Sequence, residues 1–184
     1  FGTTVTAAAV HADPEVAAAG VRDALAAARR VDALMTVHRP ESQVGRLNAE
    51  GALDRPDPHL VRVLEFSQRL AHLSGGAFDP TVQPLWLLYS RCKRGGRLPS
   101  REEVARARAL VDFSALEVSP RRVALGRPGM SVTLNGVAQG YAADLALEAL
   151  RARGVADALV DAGEHGAEGA RQRGQPWRIG LQHP

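Results

Sequence analysis

Three stretches of this sequence place glycines beside acids, amides or a histidine at spacings that could do chemistry. The first is Ser74-Gly75-Gly76-Ala77-Phe78-Asp79-Pro80-Thr81. Two glycines followed by a small residue, an aromatic, an acid and a proline make a rigid turn with bare backbone amides, able to approach a ligand closely and donate to it. A helix C-cap and turn is the plain alternative. The second is Leu134-Asn135-Gly136-Val137-Ala138-Gln139-Gly140-Tyr141-Ala142-Ala143-Asp144, a strand signal running into a glycine-bracketed helix start. Free amides there favour phosphate or another anion, and close helix packing would explain the same glycines. The third is Asp161-Ala162-Gly163-Glu164-His165-Gly166. It reads either as a catalytic or metal-binding strand end or as a polar turn.

The sequence also excludes several chemistries. It has neither G-x-G-x-x-G nor G-x-x-x-x-G-K, so the dinucleotide and P-loop fingerprints fail. The six histidines form no H-E-x-x-H pair, and no G-x-S-x-G elbow is present. The single cysteine, Cys92, rules out an intramolecular disulfide framework and a histidine–cysteine zinc site.

The elements that must position these segments alternate between strand and helix signals. Thr3–Val10 predicts a first strand, and Asp13-Pro14 opens a helix to about Leu34. The stretch 38–51 (HRPESQVGRLNAEG) predicts a polar loop. Asp57-Pro58 opens a second helix, ended by Gly75-Gly76. A short helix is expected over Pro84–Ser90, and Ser100 with Glu103 forms a capping box for another, ending near Arg108. Leu116–Val118 and Arg122–Leu125 read as a hairpin and Ser131–Leu134 as a strand. A helix over Gly136–Arg153 and strands at Ala158–Val160 and Trp177–Leu181 complete the pattern. The fold class is α/β (α+β), with mixed sheets flanked by helices. The last strand ends three residues before the chain does, so a C-terminal portion is expected beyond it. The chain opens at Phe1 rather than methionine, the mark of a processed or trimmed chain.

At 184 residues, 19.6 kDa and 45% hydrophobic, the chain is expected to form a single domain over 1–184 with one core. No apolar run reaches the roughly 18–20 residues of a membrane helix. The net charge is +3, and every basic residue except Lys93 is arginine, a pattern set by composition rather than function. The densest basic run, Arg91 to Arg101, reads as a solvated loop. Aromatics make up 4%, too few to interleave a basic stripe, so a nucleic-acid partner is not expected.

In order along the chain, FGTTVT (1–6), LMTVHRPESQVGRLN (34–48), SGGAFDPTVQPLW (74–86), LNGVAQGYAAD (134–144), ALVDAGE (158–164) and PWRIGLQHP (176–184) resemble the ApbE family of flavin transferases. The Asn-Gly-x-Ala-Gln-Gly-Tyr form, with Gly163-Glu164, looks like its NosX-like subgroup, associated with nitrous oxide reductase maturation. The resemblance implies an ApbE/T-fold-like architecture that binds FAD and Mg2+. It implies cleavage of the FAD pyrophosphate and attachment of FMN, through its phosphate, to a threonine or serine of a partner flavoprotein. The alternative is a flavin-binding or flavin-carrier protein without turnover.

By the same resemblance, Phe1 lies near the flavin, His38 falls at a stacking position, and Ala77, Phe78 and Asp79 match the FAD-contacting turn. Asn135 and Tyr141 flank the glycine-rich helix start. Asn48 matches an asparagine tied to FAD hydrolysis, and the Ala138 backbone carbonyl a cation ligand. The FAD site is thus expected from the 74–81 and 134–144 segments together. Catalytic groups are expected in a His-x-x-Asp-Pro-x-Thr-Gly-like segment and an Ala-Asp-x-x-x-Thr-like segment, neither of which occurs in these residues. A periplasmic location is implied, with a periplasmic or membrane-bound acceptor and peripheral attachment to the inner membrane through a lipid or signal segment.

Overall fold

The structure is a computed structural model, and it describes residues 2–171 and 174–180. In chain order the elements are β1 (Thr6–Val10), α1 (Pro14–Met35), α2 (Gln43–Glu50), β2 (Ala52–Asp54), α3 (Pro58–Leu73), α4 (Gln83–Arg94) and α5 (Arg101–Arg108). A 3-10 turn (Phe113–Ala115) leads to β3 (Leu116–Val118), β4 (Arg122–Leu125), α6 (Ala138–Ala152), β5 (Asp157–Asp161) and β6 (His165–Glu168). The chain divides into two compact units, one of residues 1–33 with 137–184 and one of residues 34–136.

In the first unit, β1, β5 and β6 form a three-stranded antiparallel sheet in the order β1-β5-β6. Thr6 pairs with Asp161 and Val10 with Asp157. Asp13 caps α1 by accepting from the Glu15 amide at 2.8 Å, with Pro14 at the first helical position. Alternating burial along β5 turns Ala158 and Val160 inward, where they share a core with Ala24, Ala28, Val31, Ala142, Ala146 and Leu150. Gly20 allows α1 and α6 to pack closely, since a Cβ there would lie 3.1 Å from Leu150.

In the second unit, β2, β4 and β3 form an antiparallel sheet in the order β2-β4-β3. The α3 helix starts on the Asp57 cap, whose carboxylate accepts from the His59 amide at 2.8 Å. It buries Leu60, Val63 and Leu64 in a core that includes Val44, Leu47, Leu53, Val123, Val132 and Leu134. The α5 start carries the expected capping box between Ser100 and Glu103.

The α+β class is as expected, while the sheets, expected as mixed, are antiparallel in every described pair. Four further expectations are corrected. The stretch 38–51 holds α2, capped by Ser42 and closed by left-handed Gly51 at φ 78°. Ser131–Leu134 is not a strand, because its backbone is held by a side chain and a loop carbonyl rather than by a ladder. Residues 177–180 form no strand, and Leu181 lies outside the described residues. Arg91, Lys93 and Arg94 belong to the last turn of α4 rather than to a loop.

Candidate functional site

The 74–81 segment begins as a helix ending and becomes a tightly tied turn. Gly75 and Gly76 adopt φ of 60° and 82°. The Gly76 amide donates to the Ala71 carbonyl at 2.9 Å and the Gly75 amide to the His72 carbonyl at 3.1 Å, a Schellman ending for α3. The Ser74 hydroxyl then accepts from the Phe78 amide at 3.1 Å.

Asp79 fixes the rest of the turn. Its Oδ1 accepts from the Thr81 amide at 2.7 Å and the Thr81 hydroxyl at 2.6 Å, and its Oδ2 accepts from the Phe113 amide at 3.1 Å. Thr81, fully buried, also accepts from the Asp112 amide at 2.8 Å. Asp112 is itself held below the usual carboxylate range by its hydrogen bonds from Ser114 and by the Arg127 guanidinium 2.6 Å away. The Asp79 carboxylate thus positions the loop, leaving the exposed Ala77 and half-buried Phe78 to face the adjoining cavity.

That cavity has a volume of about 540 Å³. Ala77, Phe78, Asp79, Arg108, Thr133 and Gly136 all line it. A Cβ at Gly136 would lie 3.3 Å from the edge of the Phe78 ring, so this glycine permits the close approach. The Pro80 carbonyl accepts from the Thr133 amide at 2.8 Å, tying the turn to the segment before Gly136. Sequence reasoning missed Arg108, whose only signal was its place at the end of the capped helix α5.

His38 and Asn48 line a different cavity, of about 890 Å³. Asn48 works on the backbone. Its Nδ2 donates to the Val132 carbonyl at 2.9 Å and its Oδ1 accepts from the Val132 amide at 2.7 Å, so one side chain replaces a strand partner. His38 is exposed.

Asn135 is also exposed, its amide donating to Thr133 Oγ1 at 3.4 Å. In the other unit, α6 starts without a side-chain cap at Val137, which leaves its first amides to other acceptors. Nothing lies within 4 Å of a Cβ at Gly140, so helix packing does not account for that glycine. Tyr141 is half-buried on the first turn of α6. Of the residues expected at the FAD site, those up to Gly136 belong to one unit and those from Val137 to the other. Phe1 lies outside the described residues.

The 161–166 segment is a reversal between β5 and β6. Asp161 Oδ1 accepts from the Gly163 amide at 2.9 Å, and Asp161 Oδ2 stands 3.6 Å from His165 Nε2. Gly163 sits at φ 92°, and the Gln139 side-chain amide occupies the space a Cβ would need. The donors in this span do not by themselves suit a divalent cation. No group of three or more His, Cys, Asp or Glu gathers among the described residues. The Ala138 residue is buried at the first position of α6, where the helix itself uses its carbonyl.

A family model described as "ApbE family" matches residues 1–184. A Klebsiella pneumoniae protein named FAD:protein FMN transferase is 31% identical over 165 residues, covering 83% of this chain and 46% of the relative. A Vibrio cholerae protein of the same name is 27% identical over 155 residues, covering 82% and 46%. The chain spans about half the length of these curated relatives. The solved apo structure of the Pseudomonas stutzeri flavinyl transferase ApbE superposes with a TM-score of 0.85 at 30% identity, covering 98% of this chain and 59% of that one.

Proposed function

Since the chain belongs to the ApbE family, we propose that it forms part of a flavin transferase that cleaves FAD and attaches FMN to a threonine or serine of a partner flavoprotein. The observation that carries this reading is the turn at 74–81, locked by Asp79 so that Ala77 and Phe78 meet Gly136 at one cavity. An aromatic edge beside a bare backbone suits a flat heteroaromatic ring. Arg108, on the same cavity, supplies a permanent cation for a phosphate-bearing ligand. The uncapped start of α6 offers amide donors of the kind a pyrophosphate accepts from.

In this reading the chain's own residues bind and orient. Phe78 and Gly136 shape the ring contact, Arg108 balances phosphate charge, and the Asp79–Thr81–Phe113 hydrogen bonds keep the turn from relaxing. Magnesium dependence belongs to the same proposal, but no step is assigned to it, because no cluster of three or more His, Cys, Asp or Glu is found among the described residues. The named relatives support FAD as substrate and a flavoprotein as acceptor. A periplasmic setting, peripheral attachment to the inner membrane and a role in nitrous oxide reductase maturation rest on the motif resemblance alone. No helix among the described residues is long and apolar enough to cross a membrane.

The test is incubation of the protein with FAD, magnesium and an acceptor flavoprotein carrying a target threonine. AMP release with FMN on the acceptor is the expected outcome. FAD fluorescence quenching without AMP would favour the alternative, flavin binding without turnover. Absence of FAD binding at micromolar concentrations would overturn both.

A further inference from the structure

The cavity shared by α4 and α5 differs chemically from the one at the 74–81 turn, and the two have no lining residue in common. Its volume is about 550 Å³. Leu87, Leu88 and Leu110 give it an apolar floor, and Arg91, Arg94 and Arg106 bring three guanidinium groups to it. Leu87, Arg91 and Arg94 stand four and then three residues apart, on one face of α4.

Several arginines of this protein have a carboxylate partner. Arg46 meets Glu50, Arg122 meets Asp54, Arg127 meets Asp112, Arg151 meets Glu168 and Arg153 meets Asp23. The α4–α5 cavity instead gathers arginines that have no such bond. From Pro80 through Arg101 the sequence holds five cations and no acid. One carboxylate lines the cavity, Glu103, and it is already engaged. It accepts from both terminal nitrogens of Arg97 at 2.7 and 2.8 Å and from the Ser100 amide at 2.7 Å. Arg91, Arg94 and Arg106 form no ion pair among the described residues. Three positive charges are therefore gathered around an apolar floor with one carboxylate, Glu103, whose hydrogen bonds go to Arg97 and Ser100 and which feels Arg91 only through space.

We propose that this cavity binds a phosphomonoester with a small apolar or aromatic body. The phosphate presents three acceptor oxygens and close to two negative charges, which suits several planar guanidinium forks. A carboxylate would present two oxygens and one charge. The buried Ser131 hydroxyl lines the same cavity and adds a neutral donor or acceptor. The apolar body covers the leucine floor, and the volume lies in the range of small-ligand sites. This site shares no lining residue with the cavity of the 74–81 turn, and it adjoins the His38–Asn48 cavity through Leu87, Gly129 and Ser131.

The test is calorimetric titration of the protein with 1-naphthyl phosphate at low ionic strength, with and without saturating FAD. One-site binding, unchanged by FAD, is expected. Arg91→Gln/Arg94→Gln and Arg106→Gln should each weaken it by about tenfold or more, the scale of charged hydrogen bonds removed. Arg62→Gln on α3 should leave it unchanged, and melting temperatures should match across the set because all four arginines are exposed. Arg91→Lys/Arg94→Lys keeps the charge but loses the paired donors, and it too should bind more weakly. Absence of binding, displacement by FAD, equal affinity in the Gln or Lys variants, or equally tight binding of 1-naphthalenesulfonate would each overturn the proposal.

Discussion

Two turns of this molecule are written in nearly the same residues and are held in very different ways. Each pairs left-handed glycine with an aspartate that accepts a backbone amide two residues on: Asp79 from Thr81, and Asp161 from Gly163. At 74–81 the aspartate also reaches 34 positions along the chain to Phe113, and Thr81 is buried and bonded to Asp112. At 161–166 the second partner is His165, four residues away and 3.6 Å distant, with both side chains 40% exposed. A turn closed on a distant element becomes a fixed surface beside a cavity. A turn closed on its own neighbours serves to join two strands.

The largest effect should come from Asp79→Ala. It removes three hydrogen bonds and leaves the Phe113 and Thr81 donors without an acceptor. Urea unfolding should show a loss of about 2–3 kcal/mol, the range for polar groups deprived of a charged partner. FAD affinity should fall with it, and Asp79→Asn should recover part of both. Loss of FAD binding at full stability would instead make Asp79 a direct ligand.

Next comes Arg108→Gln, which should weaken FAD binding about tenfold, as expected for one lost charge-assisted bond, and leave the urea midpoint unmoved. An unchanged affinity by fluorescence titration would detach that cavity from the ligand.

In the other turn, Gly163→Ala should cost about 1–2 kcal/mol, because φ 92° is hostile to an L side chain and the Gln139 amide must move. Asp161→Ala should change stability by less than about 0.5 kcal/mol, as exposed ion pairs do. A larger loss from Asp161 than from Asp79 would erase the distinction between the two turns.

The smallest expected effect is set by pH and touches neither turn. Glu103 is held down to about 2, chiefly by its hydrogen bonds from Arg97 and then from Ser100. A lowered carboxylate pKa stabilises the folded state above the unfolded value of 4.5 and loses that contribution as pH falls toward 2. Protection of the α5-start amides, as exchange relative to the intrinsic rate at each pH, should accordingly fall from pH 4.5 to 2, and Glu103→Gln should flatten that fall.

The parts of the fold legible in the sequence are those whose signals are local. Asp13-Pro14, Asp57-Pro58 and the Ser100–Glu103 box each mark a helix start that the structure contains. Helix α2 was hidden because its residues are mostly polar, although Ser42 and Gly51 bracket it as caps. Ser131–Leu134 looked like a strand because Val132 and Leu134 alternate inward, but its backbone partners are Asn48 and Pro80, which no local pattern reveals. The candidate site divides in the same way. The Gly75-Gly76 turn was visible, while the hold of Asp79 on Phe113 and the presence of Arg108 on the cavity depend on distant segments.

The register of β1 bears on the order in which the chain acquires its structure during synthesis. Thr6 pairs with Asp161, and among the described residues β5 is the one strand beside β1. A ribosome delivering residues from the amino end must therefore complete more than 150 residues before the first strand finds its partner. The unit of residues 34–136 is contiguous and carries its own sheet, so it can fold while β1 waits. Joining the ends of so long a loop is entropically slow. The waiting strand, Thr6-Ala7-Ala8-Ala9-Val10, has small side chains and little to bury alone, which limits the sticky surface shown before β5 arrives.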